Sequence, residues 1–250
     1  MRNGLLSLGL GCALLAAFLA LLAPGPVEAV ARQAGSSRAA ATIRYVAPGG
    51  DCGGADPCYG SVQAAVDAAA AGDEIRVAEG TYFGSGQAVL RVDKTLTLRG
   101  GFTTGNWDTA NPMVNVTTLD GEGTRRGVNF TGAISPVFEG FHVSGGSAPQ
   151  GGGVRVFQAQ PIIRDNVIEG NQAQDAGPFP SAAGGGVHLD QSSGALLVGN
   201  VIRKNEVSAF SAAGGGLYSQ ASTVVLRNNA FEQNEVHGIN SAAGAGLYIE

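Results

Sequence analysis

The heptapeptide SAAGGGV fills residues 181–187, returns as SAAGGGL at 211–217, and returns again as SAAGAGL at 241–247. Read outward from it, GGGVRVFQAQPIIRDNVIEGNQAQ from 151, GGGVHLDQSSGALLVGNVIRKNEV from 184 and GGGLYSQASTVVLRNNAFEQNEV from 214 align as one unit, and GAGLYIE from 244 begins a fourth. The spacings of 33, 30 and 30 residues fall in the range of solenoids and arrays. Helical repeats of this length place apolar residues every three or four positions, and propeller blades run to about 40 residues or more. Here apolar residues alternate in three short runs per unit, each closed by Gly, Asn or Asp. The unit therefore reads as one coil of a parallel β-helix.

Stacked coils repeat at about 4.8 Å, so each position lies on its equivalent one unit later. This predicts an inward ladder of Val154, Val187, Leu217 and Leu247, with Val156, Leu189, Ser219 and Ile249 as its companion. Ile163, Leu197 and Leu226 line a second strand, and Ile168, Ile202 and Phe231 a third. Asn166, Asn200 and Asn229, with Asn171, Asn205 and Asn234, fall at corners where amides bond along the stack. The chain has 40 glycines in 250 residues, which suit bends too tight, or too far into positive φ, for a Cβ.

The first 31 residues read as an export leader: Arg2, the apolar run GLLSLGLGCALLAAFLALLA, and small-residue cleavage sites after Ala29 and Ala31. A membrane anchor is the alternative, since about 20 apolar residues are long enough to span. Cys12 follows GLG and not a lipobox. Residues 32–44 form a small-residue polar linker and 45–250 the β-helix domain, which no membrane span interrupts once the leader is removed. An oxidising compartment and the Gly/Pro-rich GGDCGGADPC point to a local disulfide between Cys52 and Cys58, because no second pair or His cluster completes a metal site. SVQAAVDAAAAGD at 61–73 carries a helix signature, with Ser61 as N-cap and Gly72 just past the end. From Glu74 onward the period is two. A formal net charge of -5 with 15 Lys and Arg gives no basic stripe for nucleic acid or anionic lipid, so neither partner is expected.

The block CGGADPCYGSVQAAVDAAAAGDEIRVAEGTY, followed by KTLTLRGGF and TTLDGEG, resembles the N-terminal part of secreted right-handed parallel β-helix proteins with the pectin-lyase-like fold. That resemblance implies an all-β, right-handed, single-stranded solenoid opened by a short capping helix. The later units are similar to the GGA[ILV] and FxxN motifs of polymorphic outer-membrane proteins, which are autotransporter adhesins. Only FEQN at 231–234 matches FxxN strictly, since Ile168 and Ile202 stand where the motif has Phe.

Enzymes on this fold need outward carboxylate pairs, or a basic residue beside clustered acids. The sequence offers no paired DD, no GHG, no RIK and no acidic cluster in the repeats, so no catalytic residue, cofactor or metal is assigned. What alternates with the inward ladder is one outward row, Arg155, His188, Tyr218 and Tyr248, flanked by Phe157, Asp190, Gln220 and Glu250. Aromatic faces and hydrogen-bonding groups at one-coil spacing suit a sugar chain, with Tyr218 and Tyr248 as platforms and Arg155 or His188 meeting acidic groups. An ordinary solvated face is the plain alternative. Trp107 is expected to pack a protruding loop onto the first coils, Arg125 and Arg126 to form a solvated turn, and residues 175–181 to form a loop beside the row.

The sequence stops after the first strand of a fourth unit, without a polar capping repeat. This predicts a fragment of a longer chain, or end-to-end self-association through the open edge. The function expected is an exported, non-catalytic β-helix, secreted or at the cell surface, that presents a binding face to a polysaccharide or cell-surface glycan. The alternative is a polysaccharide lyase or glycoside hydrolase acting on acidic polysaccharide.

Overall fold

The computed structural model describes residues 41–175, 177 and 181–250. The expected leader and the linker as far as residue 40 lie outside the described residues, as do 176 and 178–180 of the expected loop. The first strand, Ile43–Val46, begins inside the segment read as linker.

Three sheets wrap one core, and each coil contributes a strand to each. The first sheet runs from Cys58–Tyr59 and Ile43–Val46 through Glu74–Ala78, Thr97–Phe102, Val137–Glu139, Ile162–Arg164 and Ser193–Val198 to Thr223–Arg227. The second runs from Gly80–Tyr82 through Thr117–Asp120, His142–Ser144, Val167–Glu169 and Val201–Arg203 to Ala230–Glu232. The third comprises Ala88–Val92, Arg126–Thr131, Val154–Phe157, Val187–Asp190, Leu217–Gln220 and Leu247–Ile249. The ladder pairs in parallel register, Val154 on Val187, Val187 on Leu217 and Leu217 on Leu247. It extends downward to Val128 and Leu90. Ile163, Leu197 and Leu226 stack in the first sheet, and Ile168, Ile202 and Phe231 in the second. Phe130, Phe138 and Phe141 fill the early coils, the latter two with ring centroids 4.4 Å apart.

Two asparagine ladders hold the corners. Asn166 Nδ2 donates to Asn200 Oδ1 at 3.0 Å and Asn200 Nδ2 to Asn229 Oδ1 at 2.9 Å. The second ladder, Asn171 to Asn205 to Asn234, repeats the pattern at 3.0 Å per step. Each amide also donates to a carbonyl one layer down, so no buried corner group goes unpaired along these stacks.

A fourth sheet shows that SAAGGG does more than turn a corner. After the second corner each coil runs outward along Gln172–Gln174, the first half of Glu206–Ala213 or the first half of Glu235–Ala243. It then comes back along Ser181–Ala183 or the second halves of those strands. The two limbs form a fin, and their facing side chains, Ala173, Ala182, Val207, Ala209 and Ala212, make a small core of its own. Alanine recurs because only short side chains let the limbs close on each other. The first glycine after the returning limb is left-handed, with φ of +67° at Gly184 and +66° at Gly214. The third has no room for a side chain: a Cβ on Gly186 would sit 2.5 Å from the Gly216 carbonyl oxygen of the next coil. The fin was not legible as strand, because its limbs are short and polar or small on the outside.

Helix α1 spans Val62–Ala68 and is capped by Ser61, whose hydroxyl accepts from Ala64 N at 3.2 Å. It ends three residues earlier than the Gly72 signal suggests. Lys94 Nζ reaches in to donate at 3.0 Å to the carbonyls of Val66, Asp67 and Ala69, and the Asp73 carboxylate takes Ala70 N at 2.9 Å. Cys52 and Cys58 are disulfide-bonded, and Trp107 closes over this loop, its Nε1 donating to Cys52 O at 3.1 Å and its ring edge-on to Tyr45. Among the described residues no helix is long and apolar enough to cross a membrane.

Candidate binding face

The outer face of the third sheet carries the row expected from sequence, in the register expected. Arg155 pairs with His188, His188 with Tyr218 and Tyr218 with Tyr248, while Phe157, Asp190 and Gln220 align beside them. Its exposure is not as expected. His188 is 1% exposed and Tyr218 9%. The turn out of the fin lies across them: a Cβ on Gly184 would meet His188 Cβ at 2.8 Å, and one on Gly214 would meet Tyr218 Cβ at 2.7 Å. The Arg125–Arg126 turn is likewise not freely solvated, since Arg126 donates to Gly151 O at 2.9 Å and Gln150 O at 2.7 Å.

Stacking removes the platforms as well. His188 lies 5.1 Å from the Tyr218 ring, and Tyr218 lies 5.6 Å from Tyr248, with interplanar angles of 18° and 6°. Rings at one-coil spacing satisfy each other, so neither face of Tyr218 is open to a sugar. The Tyr218 hydroxyl donates to Glu250 at 2.5 Å, and burial together with that carboxylate pushes it above the ordinary phenol range. Burial and the neighbouring charges of Arg155 and Arg126 push the His188 imidazole down to about 4, so at neutral pH it is uncharged and no partner for an acid. Arg155 lies with its guanidinium carbon 4.8 Å above the Phe157 ring and its Nη2 3.9 Å from Asp190 Oδ2. Of the row, Arg155, Phe157, Asp190, Gln220 and Tyr248 retain contact with solvent.

The same face opens further down the helix into a cleft of about 850 Å³. The row continues into it, Arg155 pairing with Asn129 and Asn129 with Arg91. Helix α1 supplies one wall, because Gln63 clips the edge strand by accepting from Arg91 N at 2.7 Å and donating to Arg91 O at 3.2 Å. The loop from Phe83 to Gln87 supplies the other. Arg125 braces that loop, donating to Gly84 O at 2.5 Å while pairing with Glu122. Phe83 stands at the rim, 55% exposed.

Two features of the cleft are chemically pointed. Asn129 Oδ1 is buried and has no hydrogen-bond partner among the described residues. Arg126 also lines the cleft, and burial together with the Arg155 charge pulls its guanidinium down to about 10. The surface thus offers guanidinium donors, the Thr131 hydroxyl, the Asn129 and Gln87 amides and one exposed aromatic ring. These groups suit a polyhydroxylated ligand. Among the described residues no three His, Cys, Asp or Glu side chains gather to hold a metal. Sequence reasoning missed Phe83, Arg126 and Asn129. Extending the outward row by period two through VLRV and GVNF would have reached Arg91 and Asn129, but the cleft depends on the loop and helix beside them.

These features define a right-handed parallel β-helix protein with an open cleft on one outer face. The family model for the right handed beta helix region matches residues 101–250, and the chain belongs to that family. No curated protein and no solved structure matched the chain.

Proposed function

We propose that this protein is an exported, non-catalytic β-helix that binds carbohydrate through the third-sheet face, secreted or held at the cell surface. The observation that carries the reading is the cleft itself, which sets Asn129 in line with Arg91 and Arg155 and is walled by the Phe83 loop. Sugar hydroxyls would bond the Asn129 and Gln87 amides, Arg91 and Arg126 would bond ring or carboxylate oxygens, and Phe83 would cover an apolar sugar face. The leader-like sequence at 1–31 supports export.

The test is calorimetric titration of the full chain with neutral and uronate-containing oligosaccharides. Phe83→Ala and Asn129→Ala are each expected to weaken binding about tenfold, or about 1.4 kcal/mol. Absence of binding to every oligosaccharide, or unchanged affinity in both variants, would overturn the reading. Release of new reducing ends or unsaturated uronides, lost in Arg126→Ala, would replace it with the lyase or hydrolase alternative.

A further inference from the structure

We propose that His188 is an acid-released latch for the fin: its protonation frees the returning limb and the Gly184 turn from the outer face of the third sheet. The argument begins with packing. His188 is 1% exposed, its Nδ1 has no partner among the described residues, and the Gly184 turn lies directly over its Cβ. That turn continues Ser181–Ala183, the returning limb of the fin, and Gly184 N bonds to Ala213 O of the next coil at 3.1 Å. Tyrosines hold the same place in the next two layers, under Gly214 and Gly244. In this column of the third sheet only His188 therefore gains charge in mild acid; His237 belongs to the fin itself, its Nε2 3.1 Å from Glu235 and 3.9 Å from Glu206.

The surroundings are hostile to an imidazolium. From the layer below come Arg155 and, beside it, Arg126, both positive and both acting on His188. From the layer above comes the Tyr218 ring, whose hydroxyl is engaged by Glu250. The carboxylate on its own strand, Asp190, faces Arg155 at 3.9 Å. The Gly184 turn and the Ser181–Ala183 limb bring no titratable group. A proton on His188 would place a third positive charge in a dry site with no carboxylate to receive it.

The sign follows from the two pKa values. The folded imidazole titrates at about 4, and a solvated one at about 6.5. The latch is fully closed above about pH 6.5, and opening gains as pH falls from there toward the folded value. What yields first is the fin, because its core consists mainly of alanines while the three-sheet core holds Phe130, Phe138 and Phe141.

Hydrogen exchange on the full chain at pH 7 and pH 5, corrected for intrinsic rates, tests this. Protection of amides 206–213 is expected to fall roughly tenfold or more in acid while that of 163–168 is unchanged. In His188→Tyr, which carries the residue of the next two layers, the fall should vanish. Arg155→Gln relieves one repulsion and should shrink it, which keeps the test open if the first variant does not fold. An acid response that is absent in the natural protein, or undiminished in either variant, would overturn the latch.

Discussion

Replacing Asn205 by Ala removes one rung from the middle of a buried ladder, and the loss can be counted bond by bond. Asn205 is fully buried. Its Oδ1 accepts from Asn171 N and Asn171 Nδ2, both at 3.0 Å, while its Nδ2 donates to Ile168 O at 2.9 Å and to Asn234 Oδ1 at 3.0 Å. Asn171 Nδ2 keeps its bonds to Val143 O and Glu169 O, and Asn234 Oδ1 keeps the bond from Asn205 N. The main-chain N–H of Asn171 is left unpaired in a site that excludes water, and Ile168 O loses its side-chain donor. At about 1–3 kcal/mol for the stranded group and about 1 kcal/mol for the lost bond, the substitution is expected to cost about 3 kcal/mol. Urea denaturation followed by far-ultraviolet circular dichroism measures it, with a lower midpoint and an unchanged slope expected. A loss below about 1 kcal/mol would refute the claim that the ladder satisfies the corner backbone, since such a value is the ordinary effect of a surface substitution.

Two further substitutions probe other parts of the coil. Asp73 is 4% exposed; burial alone would raise its pKa, but bonds from Thr42 N, Ala70 N and the Arg44 guanidinium outweigh it and hold it below the usual carboxylate value. Its contribution is therefore present above the unfolded carboxylate pKa and lost as pH falls below about 4. Asp73→Asn should cost about 2 kcal/mol at neutral pH and flatten that acid limb, as read by urea midpoints at pH 7 and pH 3; a parallel pair of curves would count against it. Ala221 sits at φ +45° in a corner column whose lower members are Gln191 at +51° and Gln158 at +55°. Ala221→Gly should raise stability by about 1 kcal/mol, because glycine alone adopts that conformation freely; a lower midpoint would show the strain to be absent.

How far the sequence can be read differs between core and surface. The ladders through Val187, Ile163 and Ile168 follow from period and repeat length, because buried strands admit few residue types and stacking forces like onto like. The corner asparagines follow for the same reason: a group that must pair with its own copy has to recur. His188 and Tyr218 were legible only as facing outward. Alternation tells which side of a strand a residue takes, but not whether something else in the chain lies across that side. The fin does so, and its limbs escaped notice because alanine and serine carry little periodic signal.

The repeat of 30 residues, alternating within each unit, was enough to specify the solenoid, its inward side chains and its corner amides, since those positions answer to neighbours that are copies of themselves. The cleft under Phe83, the unpaired oxygen of Asn129 and the covered imidazole of His188 were decided by packing between segments that are not copies. Helix α1, the Phe83 loop and the fin meet the third sheet through contacts between unlike segments, and periodicity carries no information about such meetings.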